Sequence, residues 1–329
     1  MAPLSPPQSD LLPRLRASVS GGVVPGLGEG AEGAPAFTLT TPPRLALPVL
    51  IAVPHAGRAY PPQVTARMRD AALAQLRLED RLVDRLGVAI ARETGAALLV
   101  AHAPRALLDL NRAEDDIDWD MIEGGKPAEI AAPAPGQRSN ARARSGLGLV
   151  PRRLPGSGEI WRGRLSVGEL AARIEGIHRA YHTALADALE RIRAQWGAAL
   201  LIDLHSMPPL RAAEGEARAP MFVLGDRFGA ACDNRLMGRA LAHLEARGAA
   251  AAHNRPYSGG YVLDRHGAPR AGRNAMQIEV CRSAYLDRQF AQPGPGLPAV
   301  AALLATLVRE LGAETALLGG AESQRQAAE

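Results

Sequence analysis

The strongest constraint on the fold is a set of short apolar runs separated by stretches of helical periodicity. Leu47-Pro-Val-Leu-Ile-Ala-Val-Pro54, Ala97-Leu-Leu-Val-Ala101, Ala198-Ala-Leu-Leu-Ile-Asp-Leu-His205 and Met221-Phe-Val-Leu224 are short, and most of their positions are aliphatic. Runs of this length without polar alternation mark strands covered on both faces. Met276-Gln-Ile-Glu-Val280 alternates instead, which sets Gln277 and Glu279 on the face opposite Met276, Ile278 and Val280. Between the runs, Leu82, Leu86 and Ile90 repeat at four within a helical stretch over 62–95, and Gly95 stands where a C′ glycine ends a helix. Ser166-Val-Gly-Glu169 is a capping box opening a helix that runs to about Trp196, with Gly197 beyond it. Further helices are expected near 231–247 and 297–313. Strands alternating with helices predict one α/β domain, built on a central mixed, largely parallel sheet flanked by helices.

Two regions fall outside that pattern. Residues 1–45 are rich in Pro, Gly and Ser without a period and read as a loosely held lead-in to a domain over 46–329. Residues 113–165 are acidic, then Pro-, Gly- and Arg-rich, an insertion of the kind that serves as a lid. No apolar run approaches the roughly 18 residues of a membrane span, and the N-terminus shows neither a basic nor an apolar signal region. Two cysteines, Cys232 and Cys281, fit a reducing cytoplasm better than a disulfide framework. The formal net charge is only +4, and the cations are nearly all Arg. One cluster, Arg138, Arg142, Arg144, Arg152 and Arg153, has few aromatics near it and no nucleic-acid motif. The expected partner is therefore a small anion, neither a nucleic acid nor a membrane.

The chemistry sits where such sheets place ligands, at the carboxyl ends of strands. Val53-Pro54-His55, Asp109-Leu-Asn111-Arg112, Ile202-Asp203-Leu204-His205 and Gln277-Ile278-Glu279 all carry ionisable residues at or just past such an end. Any one histidine here is most simply a satisfied core or loop residue. Two of them meeting would make a zinc pair needing a third ligand, for which Asp80 and Glu79 compete; a solvated helix start is the plain reading of both. Glu279 is either a solvated edge-strand residue or a general base beside metal-activated water. Arg112 is either one half of a surface ion pair or a fork for a substrate carboxylate.

Other features carry less. His178 and His182 are spaced like the pair of His-Glu-x-x-His metalloproteases, but Arg179 occupies the position of the required Glu. Gly225-Asp-Arg-Phe-Gly229 and Tyr257-Ser-Gly-Gly-Tyr261 are glycine turns without a phosphate-loop signature. Ser206 lacks a nucleophile elbow, which argues against serine hydrolysis.

Taken in order, Val53-Pro-His-Ala-Gly57, Glu79-Asp80, Asp109-Leu-Asn-Arg112, Gly146-Leu-Gly-Leu-Val-Pro-Arg152, Tyr181-His182, Asp203-Leu-His-Ser206, Asn254-Arg-Pro-Tyr-Ser-Gly-Gly260 and Gln277-Ile-Glu279 resemble the N-formylglutamate amidohydrolase family, from about Leu47 to Leu286. The resemblance implies a phosphorylase/hydrolase-like architecture similar to zinc carboxypeptidases and aspartoacylase. It implies one zinc ion on His55, Asp80 and His205, Glu279 as base, and an Asn111-Arg112 clamp on the substrate carboxylate, helped by Arg144. The implied reaction converts an N-formyl acidic amino acid, such as N-formyl-L-glutamate, to formate and the free amino acid, a step suited to histidine breakdown. Another N-acyl-amino-acid deacylase, aspartoacylase-like, or a non-catalytic metal-binding protein on the same fold are the competing expectations. Two departures stand out. Arg58 lies where the carboxypeptidase His-x-x-Glu pair has its acid. Tyr261-Val-Leu-Asp-Arg-His-Gly267 replaces a His-Tyr-Gly ending, so no role is carried to His266.

Overall fold

The structure, a computed structural model, describes residues 18–24, 34–126, 141–154, 156–212 and 218–326. Its strands are β1 Ser18–Gly21, β2 Phe37–Thr40, β3 Val49–Val53, β4 Ala97–Ala101, β5 Arg153–Leu154, β6 Gly158–Glu159, β7 Ala199–Met207, β8 Phe222–Gly225, β9 Ala251–His253 and β10 Arg273–Cys281. The eight-stranded sheet runs β1-β2-β4-β3-β7-β10-β8-β9, with β5 and β6 a separate hairpin. Neighbours β4, β3, β7 and β10 are mutually parallel. Antiparallel pairings of β2 on β4 and of β8 on β10 close the two flanks. The expected α/β domain with a mixed, largely parallel centre is what forms.

Both faces of the sheet are covered, which is why the central strands read as continuous apolar runs. On one face Leu50, Ala52, Leu99, Leu201 and Ala275 pack against Tyr181, Leu185, Leu189 and Ile192 of the helix Ala180–Trp196. On the other, Ile51, Val53, Leu98, Ile202, Leu204, Met276 and Ile278 meet Leu86 and Ile90 of Val83–Thr94, Leu236 and Leu244 of Asn234–Ala246, and Leu304 and Leu311 of Leu297–Gln326. The N-cap half of the expected capping box forms, Ser166 Oγ accepting from the Glu169 N–H at 3.1 Å, while the Glu169 carboxylate accepts from Arg67 and Arg173. The helix it opens passes through a π-helical stretch, Ile174–Arg179, before ending at the left-handed Gly197. Among the described residues no helix is long and apolar enough to cross a membrane.

Several expectations need correction. The helical stretch 62–95 is three helices, Pro62–Ala66, Ala71–Leu78 and Val83–Thr94. It breaks where Met68 bridges Trp161, and again where the Asp80 N–H leaves helical pairing for the His55 carbonyl at 2.9 Å. The lead-in is not loose throughout, because β1 and β2 lie in it and form one flank of the sheet. Residues 1–17 and 25–33 of that lead-in lie outside the described residues. Within the insertion, Ile117, Met121, Leu149, Val150, Ile160 and Trp161 join the same core as β3 despite their irregular spacing. Its residues 127–140 lie outside the description, Arg138 among them. The closing helix continues past 313 to Gln326, and β9 was not anticipated.

Candidate metal centre and active site

Strand register assembles the site. Parallel pairing of β10 on β7 sets Glu279 beside His205 and Gln277 beside Asp203. These four side chains belong to the sheet face that carries Ala199, Leu201 and Ala275 nearer the strand starts. That face is therefore apolar where the strands begin and polar where they end. His55 follows β3 by two residues, in a loop turned sharply toward the loop after β4. A Cβ on Gly57 would lie 2.0 Å from the Ala103 carbonyl oxygen, so only glycine allows this approach. Asp80 comes from the turn after Ala71–Leu78, held by its main-chain bond to His55.

His55, Asp80 and His205 offer ligand atoms that all lie within 4.8 Å of one another, and all three residues are buried. The two imidazole centroids are 4.7 Å apart. Asp80 Oδ2 is 3.0 Å from His205 Nδ1 and 3.6 Å from His55 Nδ1, the latter too long for a hydrogen bond. On the far side of each ring stands another carboxylate. His55 Nε2 donates to Asp109 Oδ1 at 2.7 Å, and His205 Nε2 donates to Asp203 Oδ2 at 2.9 Å. Both Nδ1 atoms are thereby turned toward Asp80, the carboxylate–histidine arrangement usual around metal ions. Glu79 points elsewhere, its carboxylate 3.0 Å from Arg81. Of the two competing acids, then, Asp80 is the one brought to the imidazoles.

The electrostatics favour a cation at this point. His55 Nδ1 is buried without a hydrogen-bond partner, as is Asp203 Oδ1; such buried orphans are rare and call for an explanation. Burial opposes charge on His205, yet Asp203 and Asp80 together raise its pKa well above the usual imidazole range. Burial likewise works against ionised Asp80, but the flanking His205 and His55 hold its carboxyl well below the usual range. A divalent ion would replace the Nδ1 proton of His205 and give His55 Nδ1 its missing partner. The donor set of two imidazoles and one carboxylate fits zinc with a coordination position to spare. Glu279 is almost fully buried, and that burial pushes its carboxyl up to about 7, with Asp80 and Asp203 adding to the rise and His205 and Arg105 opposing it. A carboxyl so poised accepts and returns protons near neutrality.

These groups open onto a cavity of about 350 Å³, whose wall includes His55, Asp80, His205, Glu279, Asn111 and Arg112. Arg77, Arg105, Arg142, Arg227 and Arg282 also line it, so the cavity is strongly cationic. Arg112 is anchored through Nε to the Leu147 carbonyl at 3.0 Å and through Nη1 to the Asn111 carbonyl at 2.8 Å. Asn111 accepts from the Val262 N–H through Oδ1 at 2.9 Å, which ties it to the opposite wall. Arg144 is exposed and is not in this wall. Arg142 is, because two positions along the short helix Ala141–Arg144 project to different sides. Sequence reasoning also gave no role to Asp109, Asp203 and Arg105, whose Nη2 and Nε both donate to Asp109 Oδ2, at 2.8 and 2.9 Å, and steady the carboxylate behind His55. The two-residue spacing of Asp203 and His205 on a strand was the available signal for one of them.

The family model for N-formylglutamate amidohydrolase matches residues 47–286. The chain belongs to that family. It is 32% identical over 250 residues to a protein of Pseudomonas aeruginosa named N-formylglutamate deformylase, covering 74% of this chain and 84% of that one. A protein of the same name from Pseudomonas putida is 32% identical over 254 residues, covering 73% and 82%. Among solved structures, an N-formylglutamate amidohydrolase of Ralstonia eutropha superposes with a TM-score of 0.73 at 33% identity, covering 85% of this chain and 98% of that one. A gene product of Agrobacterium tumefaciens shares the fold, with a TM-score of 0.60 at 17% identity. The matched span of the family model contains every residue assigned to the site above.

Proposed function

We propose that this protein is a zinc-dependent amidohydrolase that cleaves the amide of an N-formyl acidic amino acid, N-formyl-L-glutamate in the simplest case. The observation that carries the reading is the convergence of His55 Nδ1 and His205 Nδ1 on Asp80, with Glu279 paired in register beside His205. His55, Asp80 and His205 would hold the ion, with Asp109 and Asp203 fixing the two rings. When bound, a zinc ion contributes Lewis acidity toward the acyl oxygen and makes water a nucleophile near neutral pH.

The remaining work falls to the chain. Arg112, its guanidinium fixed by two carbonyls, pairs with the substrate carboxylate, and Arg142 adds charge on the same side. A dianionic substrate is drawn into this cationic cavity and held with its amide over the cluster. Glu279 takes the proton of the attacking water and delivers it to the amide nitrogen as the carbon–nitrogen bond breaks. Formate and the free amine are the products. Gln277, donating to Glu279 Oε1 at 2.9 Å, keeps that carboxylate aimed.

The names of the family relatives support formyl as the acyl group. The test is metal analysis of the purified protein together with acid release from N-formyl-, N-acetyl- and N-succinyl-glutamate. One equivalent of zinc and preferential formate release are expected. Preferential acetate or succinate release would reassign the acyl group, and full turnover after complete chelation would overturn the metal reading.

A further inference from the structure

Of the buried histidines outside the cluster just described, three come together in one place. His178 and His182 come from the long helix around its π-helical stretch, and His266 ends the short helix Tyr261–His266. The π stretch places His178 and His182 both inward, with ring centroids 4.4 Å apart. His178 Nε2 is 2.9 Å from the carbonyl oxygen of Arg112, and His182 Nε2 is 3.0 Å from that of Leu110. A carbonyl only accepts, so both Nε2 atoms carry the proton. That leaves His182 Nδ1 as an acceptor, and His266 Nε2 supplies its proton at 2.9 Å. The ring of hydrogen bonds closes elsewhere: Asn111 Oδ1 takes the Val262 N–H from the same short helix that ends in His266. Desolvation holds His182 and His266 neutral, as this proton order requires.

The segment so gripped is the turn Asp109-Leu-Asn-Arg112, which supplies both the carboxylate behind His55 and the guanidinium proposed to take the substrate carboxylate. We propose that His178 and His182 are positioning residues that clamp the main chain of this turn, with His266 fixing the tautomer of His182, so that Arg112 meets the substrate in a set orientation. The proposal rests on the reading of Arg112 given above. None of the three histidines lines the cavity itself, so they act through the turn.

The test exploits the reach of amide side chains. Glutamine places an N–H near the Nε2 position of histidine, whereas asparagine reaches only as far as Nδ1. His178→Asn, His178→Gln, His266→Asn, His266→Gln and Arg112→Gln are compared in formate-release kinetics on the zinc-loaded enzyme with N-formyl-L-glutamate. Both Asn variants are expected to raise KM about tenfold with kcat held within about threefold, the worth of one lost hydrogen bond. Both Gln variants should return KM to within about threefold of the parent, and zinc content should not change. An unchanged KM in the Asn variants overturns the proposal. So does an equal rise in Asn and Gln variants, or a fall in kcat and zinc content without a rise in KM, either of which marks a role confined to folding. Arg112→Gln separates the two layers: if it leaves KM unchanged, the carboxylate role of Arg112 fails. If it raises KM while the histidine variants do not, only the clamp fails.

Discussion

Replacing Asp203 by asparagine removes the charge behind His205 while keeping the shape of the side chain. The residue is fully buried, and its Oδ2 lies 2.9 Å from His205 Nε2. The asparagine oxygen can still accept that proton, so the ring keeps its orientation, but the imidazole loses the carboxylate that makes Nδ1 a strong donor to a cation. Loss of such a partner costs about 10–100-fold in metal affinity, or about 1.4–2.7 kcal/mol. The new amide N–H₂ then occupies the position of Oδ1, which has no hydrogen-bond partner in the native chain. That adds about 1–3 kcal/mol of lost fold stability. The assay is titration of the metal-free protein with zinc against a competing chelator, beside a urea melt. At saturating zinc most turnover should return, because Asp203 is not in the cavity wall. A zinc affinity within twofold of the parent would refute the assignment of Nδ1 as the ligand atom of His205.

Other substitutions probe different parts of the site. Glu279→Gln should lower kcat by about 10²–10⁴-fold with zinc retained, and an active variant would remove Glu279 from proton transfer. Arg142→Ala should raise KM for N-formyl-L-glutamate while Arg144→Ala leaves it unchanged, since only the former lines the cavity; equal effects would show that the charge of the segment, not its geometry, matters. Gly57→Ala drives a methyl to 2.0 Å from the Ala103 carbonyl oxygen and should cost about 1–3 kcal/mol in a urea melt, with weakened zinc binding through the displaced His55. Acid should also destabilise the fold through His266, whose pKa burial lowers to about 3, with Arg265 and Arg273 contributing. Between about 6.5 and that value the unfolded chain takes up a proton that the folded one refuses, so stability falls by about 1.4 kcal/mol per pH unit on acidification. His266→Gln should flatten the slope of urea midpoint against pH between 7 and 5, and an unaltered slope would contradict this account.

The parallel centre of the sheet was legible because strands covered on both faces are largely apolar, as β3, β4 and the first four residues of β7 are. The flanking strands were not. Ser18–Gly21 and Ala251–His253 are short and partly exposed, and their pairing depends on neighbours far away in the chain. His55, His205 and Glu279 could be named because strand ends are where such sheets gather polar groups. The choice between Glu79 and Asp80 could not, since adjacent residues on a turn face opposite ways. Which of the two side chains reaches the imidazoles depends on contacts made in the fold, the Arg81 partner of Glu79 and the main-chain bond from Asp80 to His55. Arg142 and Arg144 raise the same difficulty on a helix of one turn.

The pairing of β10 with β7 has an implication for how this enzyme family can vary. Side chains on a strand alternate, so deleting a single residue from Arg273–Cys281 upstream of Glu279 would turn the carboxylate away from the cluster and bury it among Ile51, Leu204 and their neighbours. Loss of two residues would preserve its direction but carry it about one strand repeat, some 6–7 Å, along His205's strand. Length changes should therefore be confined to the loops on either side of this strand, and the separation of the Glu279 carboxylate from His205 is a quantity the lineage can adjust only through side-chain identity.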